Sequence, residues 1–402
     1  MSSSSFPFTP PKESYEIFAT GYSGALVPLQ FQPPSSIQIV KDGQLNNQTG
    51  DSPSWITFTE GKFPFSKTLG YVTSEAAHNG TVYVLQKDQK ILPVPSSSSP
   101  PWKVIGNKDG YSTAGGGPVA SCVQGQCLYV ANYNSGSAAV IQLGKDGIPV
   151  EQNGQPASVF QYKVNQTGPV TTRQDHSYAH DAVASPDGKW VYICDLGADQ
   201  IHHIEATQGQ DCRQSINQQS QSTQLGSGTG PRHLAFYHDK QTNKQYAYLT
   251  SELASTLTAF EHDPETGALN IIGKPVLSVP EGTPLGGNQT AGPQRTTAEL
   301  AISPDGRFVY VSDRGDDVED HITIYKRDQQ DGSIQFEKWV KSGGKMPRHF
   351  SLSQDGHFFA IAHQTTGNVV IFGRDPQSGD LTKTGAEVDG LDQVAFAGFV
   401  PK

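Results

Sequence analysis

The 402-residue sequence has no apolar run of 18 or more residues, so it predicts no membrane-spanning helix. It is also short of positive charge, because 29 lysines and arginines stand against 39 aspartates and glutamates, for a formal net charge of −10. General nucleic-acid binding requires basic residues that neutralise phosphates. We therefore expect neither a membrane nor a nucleic-acid partner, although a local basic pocket for a small anion is compatible with this balance.

Cysteine is scarce as well. The sequence contains four cysteines, at Cys122, Cys127, Cys194 and Cys212. Their spacing fits neither a metal site nor a redox motif, and we expect no metal and no cofactor. Cys122 and Cys127 flank a predicted turn and are close enough in sequence to pair, but reduced thiols are the expectation for a cytosolic chain.

A signal peptide is a third absence. Residues 1–11 are rich in serine and proline, and they contain neither a basic segment nor an apolar one. We therefore expect a cytoplasmic protein. Four N-glycosylation sequons instead favour a secreted protein. They lie at Asn47, Asn79, Asn165 and Asn288. Such triplets also arise by chance in loops rich in asparagine and threonine.

Glycine and proline are plentiful, with 42 and 27 residues, and they separate the strands of a pattern that recurs along the chain. Its clearest copy spans residues 298–315. An apolar strand is followed by a Ser-Pro-Asp-Gly turn at 303–306 and then by alternating apolar residues. Proline fixes φ and Asp-Gly accepts positive φ, while a period of two indicates a strand. A further strand follows at 321–325.

Two sets of equivalent positions define the repeat. Positions at the end of the second strand recur at intervals of 50 to 63 residues. They are Gly21, Glu75, Tyr133, Leu196, Glu252, Arg314 and Gln364. Positions that open the first strand form the other set, namely Ser54, Gly117, His180, Arg232, Ala298 and Arg348. A β-helix would need much shorter repeats, and a sandwich would not repeat seven times.

Seven such units predict an all-β fold, a seven-bladed β-propeller with four antiparallel strands per blade. The first unit lacks a leading strand, whereas the chain ends in an apolar run at 394–400. We predict that this C-terminal strand completes the first blade and closes the ring, which removes two exposed sheet edges. Residues 1–13 are predicted to form a flexible tail, and residues 14–402 a single propeller domain.

The first strand of each propeller blade lines the central channel, so equivalent positions form a ring around one axis. The charged members of the two sets are His180, Arg232 and Arg348 in the first strands and Glu75, Glu252 and Arg314 in the second strands. Because one antiparallel strand begins where its neighbour ends, the two rings are expected to meet at one end of the channel.

Each of these residues also has a simpler interpretation. A single charged residue at a strand end is usually a solvated rim residue, and Arg314 has neighbouring aspartates with which to pair. His233 and His349 directly follow arginines, so alternation predicts that they point away from them and have a structural role. Burying several charges together is costly unless they are paired or used, and their coincidence at equivalent positions favours a site.

The residue types predict a small anionic substrate, a lactone or a carboxylate. Arginines bind carboxylate or phosphate groups bidentately, and a histidine with a glutamate supplies proton transfer. A polar stretch at 175–181 leads into His180. The predicted catalytic residues are His180, Glu252, Arg232 and Arg314. The predicted substrate-binding residues are Arg348, Glu75, His176 and Tyr178.

At these residues the chain resembles the seven-bladed propeller lactonase family, which includes bacterial-type 6-phosphogluconolactonases and fungal 3-carboxy-cis,cis-muconate cyclases. The resemblance is carried by six stretches, ANYNSGS at 131–137, YAH at 178–180, DLGAD at 195–199, GPRH at 230–233, SELAST at 251–256 and SDRG at 312–315. The cyclase branch has a His, an Arg, a Glu and an Arg in its proposed site. By motif these correspond to His180, Arg232, Glu252 and Arg314. The stretch at 173–180 is closer to the lactonase branch, with Tyr178 where that branch commonly has a second histidine.

The resemblance implies a lactonase that hydrolyses a sugar-acid lactone such as 6-phosphogluconolactone. Arg232 and Arg314 would hold the anionic group and the developing oxyanion. His180 would deprotonate water or pass a proton to the departing ring oxygen, and Glu252 would orient His180 or the water. The first alternative is a muconate cyclase, with the same arginines on carboxylates and His180 or Glu252 as the proton donor. The second alternative, from a different class, is a non-catalytic propeller that binds partners on its rim.

Overall fold

The structure is a computed structural model that describes residues 11–40, 44–60, 65, 67–75, 80–87, 102–150, 154–156, 158–206, 211–212, 221–288 and 290–402. Within these ranges there is no α-helix, and the strands form seven antiparallel sheets. None of the described residues forms a helix that is long and apolar enough to cross a membrane. Residues 1–10 of the predicted tail and the sequon at Asn79 lie outside the described residues.

The seven sheets are the blades of the predicted propeller. Blade 1 contains β1 (Tyr15–Gly21), β2 (Leu26–Gln32) and β3 (Ser36–Ile39), with β29 (Val394–Phe399) as its innermost strand. Blade 2 contains β4 (Pro53–Phe58), β5 (Leu69–Ser74), β6 (Thr81–Lys87) and β7 (Trp102–Ile105), and β8 (Tyr111–Ser112) also pairs with β6. Blade 3 contains β9 (Pro118–Gln124), β10 (Cys127–Asn132), β11 (Ser137–Gln142) and β12 (Ser158–Gln161).

The remaining blades repeat the same order from the inside outwards. Blade 4 contains β13 (Ala179–Ala184), β14 (Trp190–Asp195), β15 (Gln200–Glu205) and β16 (Gln221–Gln224). Blade 5 contains β17 (Pro231–Asp239), β18 (Lys244–Ser251), β19 (Thr256–His262) and β20 (Leu269–Leu277). Blade 6 contains β21 (Thr296–Ile302), β22 (Phe308–Arg314), β23 (His321–Arg327) and β24 (Ile334–Lys341). Blade 7 contains β25 (Pro347–Leu352), β26 (Phe358–His363), β27 (Asn368–Arg374) and β28 (Leu381–Val388).

The C-terminal strand closes the ring as predicted. Strand β29 pairs antiparallel with β1, with Ile17 opposite Phe399 and Thr20 opposite Phe396. The innermost strands β29, β4, β9, β13, β17, β21 and β25 contact one another in this order, and β25 contacts β29 again. This cyclic order confirms the seven-bladed fold.

Neighbouring blades are joined by a recurring tyrosine hydrogen bond. A buried tyrosine in the second strand of one blade donates its hydroxyl hydrogen to a glycine carbonyl in the outer turn of the next. The pairs are Tyr71 with Gly147, Tyr192 with Gly267, Tyr248 with Gly332 and Tyr310 with Gly379, at 2.8 to 2.9 Å. All four glycines have a φ near +70° to +80°, and an added Cβ would strike a side chain of the preceding blade. Glycine is therefore required there by both conformation and close approach.

Every innermost strand carries one extra residue relative to its partner strand. The pairing register shifts at this bulge in all seven blades. In blades 4, 5 and 7 the extra residues are His180, Arg232 and Arg348. A β-bulge leaves its extra residue unpaired and re-aims its side chain, so these three predicted site residues lie where the strand is locally distorted.

The cysteine expectation is wrong, because Cys127 forms a disulfide with Cys212, with a Cα–Cα distance of 5.8 Å. Cys122 lies opposite Tyr129 on the neighbouring strand, whereas Cys127 lies opposite Gln124. Cys122 and Cys127 thus lie on paired strands but not opposite one another, so they do not form the disulfide. Of the four cysteines, all within the described residues, Cys122 and Cys194 are free thiols.

We expect Tyr310→Phe to destabilise the protein more than Tyr192→Phe does. The Tyr310 hydroxyl binds the Gly379 carbonyl and accepts a hydrogen bond from Arg374 Nε at 2.8 Å, whereas the Tyr192 hydroxyl binds the Gly267 carbonyl. Buried polar groups left unsatisfied are costly. We therefore expect the free energy of unfolding to fall by about 2 to 3 kcal/mol in Tyr310→Phe and by about 1 kcal/mol in Tyr192→Phe. Urea unfolding measures the stability of both variants. Equal losses would show that the hydrogen bond from Arg374 adds nothing to the stability.

We expect Cys212→Ser to lower the free energy of unfolding by about 2 to 4 kcal/mol, because the disulfide closes a long loop in the unfolded chain. The bridged residues are 85 positions apart. Reducing agent should bring the wild type to the level of the variant and leave the variant unchanged. Titration of the unfolded, unreduced wild type should find the two free thiols, and four thiols would contradict the assignment.

Candidate active site

Glu252, which follows β18, lies among three guanidinium groups. Its Oε2 accepts a hydrogen bond from Nε of Arg232 at 2.8 Å, and its Oε1 accepts one from Nη2 of Arg173 at 2.8 Å. Nη2 of Arg314, at the end of β22, lies 3.3 Å from the same Oε1. The side chain of Glu252 is only 6% exposed. A buried carboxylate is thus paired with three cations from different parts of the chain.

The charges in this group shift one another's ionisation. Burial by itself would raise the pKa of Glu252, but the guanidinium groups of Arg314, Arg173 and Arg232 outweigh burial and hold that pKa well below its usual range. Burial, together with repulsion from Arg314, lowers the pKa of Arg232 to about 10. Burial also lowers the pKa of Arg314. Glu252 is therefore a fixed negative charge at neutral pH and a poor proton donor.

A second carboxylate–guanidinium pair belongs to the same site. Nη2 of Arg348 lies 3.3 Å from Oε2 of Glu75, which also accepts a hydrogen bond from the Tyr22 hydroxyl at 2.7 Å. The guanidinium of Arg348 stacks over the Tyr22 ring, 5.4 Å from its centroid. Arg348 interacts electrostatically with both Arg232 and Glu252. Arg348 of blade 7, which is paired with Glu75 of blade 2, is therefore close enough to the Arg232–Glu252 pair of blade 5 to interact with it.

His180 is the bulge residue of β13 and is only 5% exposed. Its ring meets Tyr133 edge-on, at 5.4 Å between centroids, and His233 at 5.0 Å. Burial and then the charge of Arg232 lower the pKa of His180 well below its usual range. At neutral pH this imidazole is uncharged, so it is able to accept a proton.

The structure therefore brings together the six charged residues that the ring argument predicts. With Arg173 they are called the channel cluster, which consists of Glu75, Arg173, His180, Arg232, Glu252, Arg314 and Arg348. The rim interpretation fails for Arg314, because its Nη2 donates to the Thr297 carbonyl at 2.8 Å and contacts Glu252. The neighbouring Asp313 instead accepts from Ser278. The catalytic roles of the cluster residues stay predictions.

The predicted orientation of His233 and His349 is wrong. His233 stacks on Trp55 at 5.3 Å, and His349 meets the same indole edge-on at 5.2 Å. Trp55 belongs to blade 2, which is not adjacent to blade 5, so its contact with His233 must cross the channel. Because the bulge interrupts alternation, an arginine and the histidine after it both reach the channel. Glu299 Oε2 lies 3.9 Å from His233 Nε2 and 3.7 Å from His349 Nε2, and these residues form a layer next to the channel cluster.

His176 and Tyr178 lie outside the channel cluster. The His176 ring contacts Asp175 and the Asn134 carbonyl, at 3.1 and 3.2 Å. The Tyr178 hydroxyl donates to Asp175 at 2.8 Å, and its ring packs against Tyr133 at 4.7 Å. Tyr178 thus reaches the cluster only through Tyr133, which contacts Arg173 and His180. The substrate-binding role of His176 and Tyr178 stays a prediction.

Sequence reasoning missed Arg173, and it did not single out the neighbouring Tyr133 as a candidate. Arg173 contacts Glu252 and also donates to the Tyr133 hydroxyl at 3.2 Å. Tyr133 occupies the same repeat position as Glu252 and Arg314, and that equivalence was a usable signal. Arg173 lies in the loop before β13, outside the repeated strands, so the repeat carries no signal for it.

The channel cluster is built to receive negative charge. Its four arginines outnumber its two carboxylates, Glu75 and Glu252, even when the buried Glu299 that interacts with Arg232 is added, so positive charge is in excess. Among the described residues, Nη1 of Arg232, Nε of Arg314 and Nδ1 of His180 are buried without a hydrogen-bond partner. Buried polar atoms are seldom left unsatisfied, which suits these atoms to a ligand. No set of three or more histidine, cysteine, aspartate or glutamate side chains in the described ranges is arranged to hold a metal ion.

Comparison with known proteins places this geometry in context. A family model described as "Lactonase, 7-bladed beta-propeller" matches residues 37–397. The 6-phosphogluconolactonase of Bacillus subtilis is 30% identical over 259 residues, which are 64% of this chain and 66% of the relative. A protein of Arthroderma benhamiae named as a probable 6-phosphogluconolactonase is 31% identical over 261 residues, 63% of this chain and 60% of the relative. The chain therefore spans less than two thirds of either relative.

Solved structures share the fold over almost the whole chain. The periplasmic gluconolactonase of Pseudomonas aeruginosa superposes with a TM-score of 0.77 at 25% identity, covering 96% of this chain and 99% of that protein.

We expect Glu252→Gln to lower the free energy of unfolding by about 3 to 5 kcal/mol at pH 7, because it leaves three guanidinium groups without their carboxylate. The pKa of Glu252 is depressed in the folded state. The wild-type advantage is therefore complete above the unfolded pKa of about 4.3 and shrinks as the pH falls below it. Urea unfolding between pH 7 and pH 3 measures this dependence.

The control is Glu265→Gln, because Glu265 forms a solvent-exposed ion pair with Lys189. This variant should stay within about 1 kcal/mol of the wild type. A Glu252→Gln loss that is the same at pH 7 and pH 3 would show that the carboxylate charge is not its cause.

Proposed function

The chain belongs to the seven-bladed β-propeller lactonase family, and we propose that it hydrolyses an anionic sugar-acid lactone of the 6-phosphogluconolactone class at the channel cluster. The observation that carries this proposal is the uncharged imidazole of His180 beside an arginine group in which positive charge is in excess. Lactone hydrolysis needs a base for water and positive charge for the oxyanion. The names of the Bacillus and Pseudomonas relatives support the same reaction class.

The steps use residues of the cluster in turn. His180 accepts a proton from water while the water oxygen bonds to the carbonyl carbon, and the carbonyl electron pair moves onto its oxygen. Arg232 and Arg314 donate hydrogen bonds to that oxyanion. When the intermediate collapses, the bond to the ring oxygen breaks and the imidazolium returns its proton to that oxygen. The product is an open-chain hydroxy acid.

Glu252 has a different task from the one expected from the sequence. Its contacts are with guanidinium groups rather than with His180, so we assign it the role of holding the arginines in place. Muconate cyclisation would require a proton donor at the site. The lowered pKa of Glu252 and the neutral state of His180 both disfavour that role, so hydrolysis is the better-supported function.

We expect the wild type to hydrolyse 6-phosphogluconolactone and Arg314→Ala to lose about 10²- to 10³-fold in kcat, the usual effect of removing one oxyanion donor. Arg307→Ala is the matched control, because Arg307 lies in a surface turn beside Asp305. Rates are followed by the acid released, beside an ultraviolet assay of carboxymuconate, and circular dichroism checks that both variants are folded.

Other outcomes would separate the alternatives. Turnover of carboxymuconate alone would replace the proposal with the cyclase. No turnover of either substrate, with a melting temperature that does not respond to added phosphate, would support the non-catalytic scaffold. Equal losses in Arg314→Ala and Arg307→Ala would remove Arg314 from the mechanism.

A further inference from the structure

The arginines around Glu252 differ in how accessible they are. The side chain of Arg173 is 34% exposed, against 1% for Arg232 and 6% for Arg314. Arg232 lies in the innermost strand β17 and Arg314 ends the second strand β22, whereas Arg173 lies in the loop before β13. Arg173 is therefore the guanidinium at the solvent edge of this group, and the other two lie deeper in the channel.

The backbone around Arg173 is fixed on both sides. Gln174 is fully buried, with its Nε2 donating to the Leu196 carbonyl at 3.2 Å and its Oε1 accepting from the Val170 amide at 3.3 Å. Thr172 donates through its hydroxyl to the Thr290 carbonyl at 2.9 Å. A loop held in this way leaves the side chain of Arg173 as the part that is free to change partners.

Arg173 is also the most exchangeable partner of Glu252. If its guanidinium leaves, the carboxylate still has Arg232 and Arg314. Both hydrogen bonds that Arg173 makes within the described residues come from Nη2, so Nε and Nη1 are available to a ligand. A guanidinium offers a planar pair of donors that matches phosphate or carboxylate oxygens.

We propose that Arg173 is a specificity-determining residue that leaves Glu252 to bind the second anionic group of the substrate. This inference rests on the proposed function, in which the lactone carbonyl lies at His180, deep in the channel. The far end of such a substrate points to the solvent edge, where Arg173 lies. The ligand group is a phosphate or a carboxylate, and the substrates of the test distinguish the two.

The test compares three lactones, namely 6-phosphogluconolactone, glucaro-1,4-lactone with a terminal carboxylate, and glucono-1,5-lactone with a neutral terminus. kcat and KM are measured for the wild type, Arg173→Gln and Tyr133→Phe. In Arg173→Gln we expect the preference for one charged lactone over the neutral one to fall by about 10- to 100-fold, mainly through KM, as for a lost charge-assisted hydrogen bond. The charged lactone affected identifies the group that is bound.

Tyr133→Phe is the matched control, because it removes the other partner of Arg173 and keeps the guanidinium. This variant should retain the wild-type preference. An unchanged preference in Arg173→Gln, even with lower rates on all three lactones, would overturn the inference, since a merely structural role slows every substrate alike.

Failure of the proposed function would be recognisable separately. If the wild type hydrolyses none of the three lactones, that function is lost, and titration calorimetry with inorganic phosphate decides the role of Arg173. Phosphate binding at least about tenfold weaker in Arg173→Gln than in the wild type and Tyr133→Phe would support Arg173 as an anion-binding residue. Equal binding in all three proteins would overturn it.

Discussion

The bulge in each innermost strand is the constraint on which the site depends. A regular strand sends neighbouring side chains to opposite faces, so it could not direct both Arg232 and His233 into one channel. The extra residue breaks this alternation at the same level in all seven blades. In blades 5 and 7 two successive residues therefore reach the channel, an arginine of the channel cluster and then a histidine whose ring packs on Trp55 of blade 2. The chemistry of the channel follows from this local irregularity rather than from the regular ladder.

Burial forces the charges of the channel cluster to compensate one another. Removing a guanidinium from water is unfavourable unless a partner replaces the lost solvent, and Glu252 is that partner for three arginines. The compensation is incomplete, since positive charge remains in excess, and the same excess disfavours a further cation. It thereby contributes to keeping His180 neutral. One electrostatic arrangement thus both favours an anion in the channel and keeps the imidazole uncharged.

The repeat made most of the fold predictable, and with it six of the seven residues of the channel cluster. Equivalent strand positions predict His180 and Arg232 from the sequence alone, because position in a repeat becomes position around an axis. The orientation of His233 could not be predicted, because the alternation of apolar and polar residues along a strand carries no signal for a β-bulge. Arg173 lies in a loop without a counterpart in the other blades. The partner of Cys127 is 85 residues away, and that pairing is set by contact between blades rather than by local spacing.

The fold divides rigid from adjustable parts of the site. Tyrosine–glycine hydrogen bonds of the described residues tie blade 2 to blade 3 and join blades 4, 5, 6 and 7 in order, and the innermost strands of neighbouring blades contact one another all around the ring. Side chains carried by those strands, such as Arg232, are therefore fixed by the whole ring. Arg173 is carried by a surface loop that can vary without disturbing strand pairing. In the proposed function, residues on strands act on the lactone carbonyl, and a loop residue selects the anionic group at the far end of the substrate. A change in that loop would then alter substrate choice and leave the reacting groups in place.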